Sequence, residues 1–393
     1  MKILMANFTK MVKDSGGLAK VTCAFSNEML KRGHDVSLLY SDERQGDFFF
    51  PIDEKIKCYN LKINDDGSVI KFPLYLKAYR EILRAFDKRT ARTVNSDFDE
   101  KHLLPNIKKY LNLIKPDIII SYQTAASKLL LCDAKTDIPV ITMSHGDPED
   151  YFHTYPVKEI PSLTKSAICQ VLMPSLEQHI KNHLPDAKTI TIGNAISQFD
   201  FSADLAADKE RFKIIFVGRL TKNHKRPHLL LQAFAKLADK YPDWEVELWG
   251  AKDRAAYYKE LEMLISSNNL TGRAFIKGAT NDVPGALRHA DIFAFPSAFE
   301  GFGMALAEGM SVGLPAVGYQ SCPAVNELIE NAKTGFLCAD GVEPLTQALD
   351  KLMGDQALRV QMGKAAKKAM AAYAPEKIWN QWEELMERVV KEK

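Results

Sequence analysis

Residues 291–327 impose the tightest condition on how this chain can fold. A run from Asp291 to Phe295, apolar after its first residue, ends at Pro296-Ser297. It is followed by Glu300, by Gly301 and Gly303 on either side of Phe302, by an alanine-rich segment from Met304, and by Glu308. An unbroken apolar run suits a strand covered on both faces, as in a parallel sheet. The glycines let the backbone approach a ligand closely, and the first amides of a helix beginning near Met304 favour an anion. The expected order is strand, tight Gly loop and helix N-terminus, with a phosphate group as the natural occupant. Glu300 and Glu308 are either solvated surface charges or the grips for two ends of one long ligand. As eight helical residues they would stand roughly 12 Å apart, too far for the about 5–9.5 Å separation of a glycosidase pair.

The same order of elements recurs along the chain. Lys2–Ala6 reads as a first strand, the loop after it carries Gly16 and Gly17, a helix spans about Leu18 to Arg32, and Asp35–Tyr40 is a second strand. This is a Rossmann-like opening with bare amides at Gly16 and Gly17, but without GxGxxG it does not indicate a dinucleotide site. The glycine pair alone equally suits a tight turn. Asp117–Tyr122 and Ile138–Met143 are further buried-strand runs, and His145 follows the second. It stands where a ligand at the carboxyl ends of parallel strands would lie, or serves as an ordinary structural histidine. A new strand, Lys213–Val217, leads into Gly218-Arg219-Leu220 and then Lys225, with Pro227 in the first turn of a helix to about Tyr241. Arg219 with Lys225 or Arg226 places two cations at a helix N-terminus, suited to a diphosphate leaving group, or forms a solvated basic loop. Strands at Glu245–Trp249 and Ala274–Lys277 follow.

A chain of 393 residues is expected to form two domains. The polar stretch Ser197–Arg211 has no clear periodicity and marks the boundary. A formal net charge of +2 gives no general case for nucleic acid binding. Six cysteines without CxxC spacing read as reduced and mostly buried, and no metal site is expected. With no apolar run of membrane-spanning length and no signal peptide, the chain is expected in the cytoplasm. Within 71–115, Lys71, Lys77, Arg80, Arg84, Lys88 and Arg89 alternate with Leu74, Tyr75, Tyr79, Ile82 and Phe86. Helical spacing gives one greasy and one basic face. That is either a docking surface for the anionic inner face of the cytoplasmic membrane or a helix packed on the sheet with its basic side in water. Trp379 and Trp382, in a final amphipathic helix after Pro375, are expected in the core.

Glu300, seven residues and Glu308, with the preceding Pro-Ser and the following GLPAVGYQSCPAVNELI, resemble the signature of retaining glycosyltransferase family 4. This is a GT-B family of bacterial polysaccharide, lipopolysaccharide and glycolipid synthesis, and the resemblance covers nearly the whole chain. It implies an α/β fold of two Rossmann-like domains with parallel sheets facing a central cleft. Residues 1–196 would bind the acceptor, 197–372 the nucleotide-sugar, and 373–393 would cross back to the first domain. It implies that Arg219 and Lys225, with Gly218 and the amides of Gly16, Gly17, Gly301, Phe302, Gly303 and Met304, stabilise the departing diphosphate. Glu300 would hold the sugar hydroxyls, Glu308 the ribose and His145 the sugar's far edge, while Asn281 and Val283 lie in the loop around the base. Two departures stand out: the loop before Pro227 is one residue longer than the commonest form, and Cys322-Pro323-Ala324 replaces a Gly-Gly pair. The second departure resembles the branch using UDP-sugars. The implied activity is a hexosyltransferase moving a hexose or N-acetylhexosamine from a UDP-sugar to a hydroxyl of a glycan or lipid-linked saccharide, with no metal or cofactor required. The rivals are a nucleotide-sugar epimerase of the same shape and a non-catalytic nucleotide-sugar-binding subunit of a synthase complex.

Overall fold

The computed structural model describes residues 1–280 and 282–392. The chain divides into two compact units, the first comprising 1–193 with 379–393 and the second 194–378.

Unit 1 is built on seven strands, β1 (Lys2–Asn7), β2 (Asp35–Tyr40), β3 (Lys57–Asn60), β4 (Ile118–Ser121), β5 (Val140–Met143), β6 (Ile168–Val171) and β7 (Thr189–Thr191). They lie in the order β3-β2-β1-β4-β5-β6-β7, and every pairing is parallel. Ile118, Ile119 and Ile120 are all fully buried, so both faces of β4 are covered and no polar alternation is needed. The connecting helices are α1 (Gly17–Lys31), α2 (Leu74–Phe86), α3 (Lys88–Ile114), α4 (Thr124–Lys128), α5 (Glu149–His153), α6 (Pro161–Lys165) and α7 (Pro174–His183). Leu103, Ile107 and Leu111 of α3 pack on Leu4, Leu39, Ile119 and Val140.

Segment 71–115 is not one helix. It breaks at Asp87, whose carboxylate caps α3 by accepting from the amides of Arg89 and Thr90. No residue of α2 is buried, so its greasy face is not spent on the sheet.

Unit 2 has six parallel strands, β8 (Phe212–Val217), β9 (Trp244–Trp249), β10 (Ala274–Gly278), β11 (Ile292–Phe295), β12 (Ala316–Tyr319) and β13 (Gly335–Cys338), in the order β10-β9-β8-β11-β12-β13. Its helices are α8 (Pro227–Ala235), α9 (Ala255–Ser267), α10 (Val283–Arg288), α11 (Met304–Ser311), α12 (Val325–Leu328), α13 (Val342–Gly354) and α14 (Gln356–Met370), with α15 (Pro375–Lys391) closing the chain. α8 ends six residues before the expected Tyr241, and turns complete the connection. Because α11 starts at Met304, Glu300 lies in the loop before it, so a purely helical separation from Glu308 does not apply.

Trp379 and Trp382 of α15 pack against Phe25 of α1 as tilted ring pairs, at centroid distances of 5.2 and 4.8 Å. Arg32 and His34 both bond Glu383 on the same helix, at 2.7 and 2.9 Å. The tryptophans are core residues, as expected. Of the cysteines, Cys23, Cys169 and Cys322 are buried but Cys58 is exposed and Cys132 and Cys338 are half-buried, fewer buried than the sequence suggested. Among the described residues no helix is long and apolar enough to cross a membrane. Trp382→Ala should destabilise unit 1 by about 3–5 kcal/mol through the cavity it leaves, read as a lowered urea midpoint; an unchanged midpoint would remove α15 from the core.

Candidate functional site

In unit 2 the strand order reverses direction between β8 and β11, so the crevice beyond their carboxyl ends is the place for a ligand. The loops leaving these two strands carry most of the residues singled out above. Gly218 donates its amide to the Trp249 carbonyl at 2.9 Å. Gly250 lies so close that a Cβ there would stand 1.8 Å from the Gly218 oxygen, so the two β-strand tips can cross only with glycine at 250. After β8 the chain turns tightly, with Lys225 N donating to Thr221 Oγ1 and Arg226 N to Thr221 O. Arg226 adopts φ 51°, and α8 begins at Pro227.

Lys225 Nζ reaches Glu300 Oε1 at 2.5 Å, with side-chain exposures of only 14% and 9%, and lies 4.7 Å from the centre of the Phe295 ring. A nearly buried cation thus meets a nearly buried carboxylate across the strand switch point. Arg226 points elsewhere, its guanidinium donating to the carbonyls of Pro296 and Ser297 and to Asp340, at 2.9–3.0 Å. Lys225 thus stands at Glu300, while Arg226 braces the loop. Arg219 is exposed and has no ion pair among the described residues.

His224 is a member of this group that sequence reasoning passed over, although it sits beside Lys225. Its ring stacks on Phe299 at 4.2 Å, its Nε2 donates to the Phe299 carbonyl at 2.8 Å, and Glu300 Oε1 is 3.7 Å away. Burial, and then the nearby Lys225 and Arg219 charges, hold its pKa below the ordinary range. Ser297 was missed as well: its hydroxyl is fully buried and has no partner among the described residues. Gly303, at φ 84°, provides the left-handed turn into α11. Gly301 to Met304 therefore lead into the helix start as expected, with Glu308 one turn further along and partly buried. Val283 opens α10, whose start is capped by Asp282 accepting from Gly285 N at 2.9 Å; Asn281 lies outside the described residues.

The segment that replaces Gly-Gly holds a conformation suited to glycine. Ala324 has φ 64° and ψ −42°, and the Val325 amide donates to the Pro323 carbonyl at 2.8 Å. This is the rare γ-turn of positive φ, strained for a residue with a Cβ. Cys322 beside it is buried, and desolvation, then the Glu300 charge, push its thiol up to about 12. It is an inert packing group rather than a nucleophile.

In unit 1 the strand order switches between β1 and β4. Gln123 Oε1 accepts from Phe8 N at 3.1 Å and its Nε2 donates to Asn7 Oδ1 at 2.6 Å, tying the two strand ends together. Gly16 precedes α1, but its amide already donates to Asp14 Oδ1 at 2.9 Å. The expectation of a bare amide is therefore corrected at Gly16: the Asp14 side chain closes the turn. A Cβ at Gly17 would meet nothing within 4 Å, so no steric demand fixes glycine there. His145 follows β5 and stacks on Tyr122 at 5.5 Å with the rings 5° from parallel. The ring as a whole is only partly covered, yet Nε2 is shielded from solvent and has no partner among the described residues.

Desolvation lowers the His145 pKa from 6.5 to about 4. The folded state thus disfavours the proton that the unfolded state accepts, so this group costs no stability above pH 6.5 and costs increasingly more as pH falls towards 4. NMR titration should show His145 neutral at pH 6, and His145→Asn should flatten the loss of stability between pH 6.5 and 4. A midpoint near the ordinary histidine value would contradict this burial.

Residues 197–369 match the family model described as glycosyl transferases group 1. An uncharacterized glycosyltransferase of Haemophilus influenzae is 24% identical, over 96% of this chain and 98% of its own length. The amylovoran biosynthesis glycosyltransferase AmsD of Erwinia amylovora is 23% identical, over 95% and 97%. Among solved structures, a TarM mutant of S. aureus in complex with fondaparinux, alpha-GlcNAc-glycerol and UDP superposes with a TM-score of 0.74 at 15% identity, covering 98% of this chain and 99% of that one.

Proposed function

From the premise that the chain belongs to the glycosyl transferases group 1 family, with the GT-B architecture of two parallel α/β units, we propose that it transfers a hexose or N-acetylhexosamine from a UDP-sugar to a hydroxyl of a bacterial glycan or lipid-linked saccharide. The observation that carries this reading is the Lys225–Glu300 pair, set beyond the switch point of the unit 2 sheet and within one loop of the α11 N-terminus. Breaking a sugar–phosphate bond leaves negative charge on the diphosphate, and fixed positive groups that need no reorganisation lower that barrier most. Lys225 supplies a cation whose position is already locked. Arg219 supplies an exposed one at the β8 tip, and the amides following Gly303 a third positive region. Glu300 accepts from sugar hydroxyls while it neutralises Lys225 between turnovers, which leaves it poorly suited to act as a covalent nucleophile. Retention is therefore assigned to same-face attack assisted by the leaving phosphate. Glu308 is assigned the ribose, and Val283 the loop beside the base. Of unit 1, His145 and the Gly17 amide are assigned the donor-directed roles that the family resemblance gives them, and Gly16, whose amide is bound to Asp14, is not. The UDP preference is supported by the Cys322-Pro323-Ala324 departure and by the UDP bound in the S. aureus TarM complex.

With a UDP-sugar that the parent chain turns over, Lys225→Ala should lower kcat by about 100-fold or more at an unchanged circular dichroism spectrum. Glu300→Gln should do the same while keeping the shape of the loop. Full turnover in either variant would refute the assignment.

On the same reading the enzyme docks on a membrane surface through α2. Tyr75, Tyr79, Ile82 and Phe86 form one stripe at helical spacing, and Leu74 and Phe86 are 81% and 86% exposed. Lys77 and Arg84 stand on the opposite side of α2 from the stripe and Lys88 lies just beyond its end, a two-faced pattern that suits an anionic lipid surface. The chain should sediment with phosphatidylglycerol vesicles and less with phosphatidylcholine, and Ile82→Asp with Phe86→Asp should release it. Equal sedimentation of parent and double variant would exclude α2 as the anchor.

A further inference from the structure

We propose that Glu149, His153 and His183 of unit 1 bind one divalent transition-metal ion of the zinc type. Glu149 and His153 lie one turn apart on α5, and His183 is the last residue of α7. Both imidazole Nε2 atoms lie 2.8 Å from the same carboxylate oxygen, Glu149 Oε1. The ligating atoms of all three residues fall within 4.8 Å of one another. Two rings converging on a single carboxylate oxygen bring three potential ligand atoms to one point. A tetrahedral ion with bonds of about 2.0–2.2 Å needs its ligand atoms about 3.3 Å apart, so small side-chain movements admit it.

The supporting structure is fixed before any ion arrives. His183 stacks on Phe152 with centroids 4.0 Å apart and planes at 16°. Asp147 Oδ1 accepts from Glu149 N at 2.9 Å and meets Nδ1 of His179, one turn before His183 on α7, at 2.6 Å. This locks the start of α5 to α7. Two imidazoles with one carboxylate select zinc, cobalt, nickel or copper over magnesium and calcium, which prefer oxygen cages. The His153 side chain is 62% exposed, which leaves an entry path and open coordination positions. His145 stands four residues before Glu149, so an ion held here fastens the loop carrying His145 to α7.

The tag-free full chain is titrated with cobalt(II), followed by visible absorption, and with zinc by equilibrium dialysis and thermal melting. The expected result is one ion per chain, a cobalt spectrum without thiolate charge transfer, and a melting point that zinc raises. His153→Gln, altered at a largely exposed side chain, should melt like the parent without metal, bind at least about tenfold more weakly and lose the zinc-induced rise; Glu149→Gln should behave alike. Absence of stoichiometric binding overturns the proposal. So does a thiolate spectrum, which would place the ion on a cysteine such as the exposed Cys58, and so does binding that His153→Gln leaves unchanged.

Discussion

Everything assigned to unit 2 depends on holding one ammonium group in a nearly water-free place. An unpaired cation enclosed in a protein interior costs several kcal/mol. Glu300 provides the partner at 2.5 Å, and the face of Phe295 covers another side of the charge. Neighbouring parallel strands make the meeting possible: β8 and β11 pair directly, so the loops that leave them start side by side. The loops are then held together by the amide of Ala298 on the His224 carbonyl, by His224 on the Phe299 carbonyl, and by the Arg226 guanidinium across Pro296, Ser297 and Asp340. A charge fixed this way stabilises a developing anion without the cost of reorganisation during the reaction.

Much of this was legible in the sequence. Runs such as Asp117–Tyr122 and Asp291–Phe295 announced strands buried on both faces, and their tips announced where ligands gather. Lys225, Glu300, Gly301 and Gly303 could be named as candidates because they follow such runs, and the family resemblance, not the local pattern, separated them from ordinary solvated charges and turns. What escaped depends on partners distant in the chain or on a side chain's direction. His224 gains its position from Phe299, Ser297 its orphaned hydroxyl from complete enclosure, and the Gly16 amide its acceptor from an Asp14 side chain that local pattern does not point. The γ-turn at Ala324 was hidden because alanine is a poor signal for positive φ.

Segment 71–115 shows the limit from the opposite side. Its composition and spacing predicted an amphipathic face but could not say whether that face would be covered. In the structure Asp87 ends one helix and caps the next, and α2 is left with its apolar stripe in solvent. Similarly, Glu149 and His153 stand thirty or more residues before His183 and the three carry no metal-motif spacing; only the packing of α5 against the end of α7 brings them to one point.

The central claim, that the crevice flanked by Lys225 and Glu300 holds the donor diphosphate, is tested most directly by hydrogen–deuterium exchange of the whole chain with and without UDP. The account predicts that UDP slows amide exchange in the 218–226 turn and at the 301–306 helix start. UDP binding that leaves both segments exchanging at their free rates would contradict it.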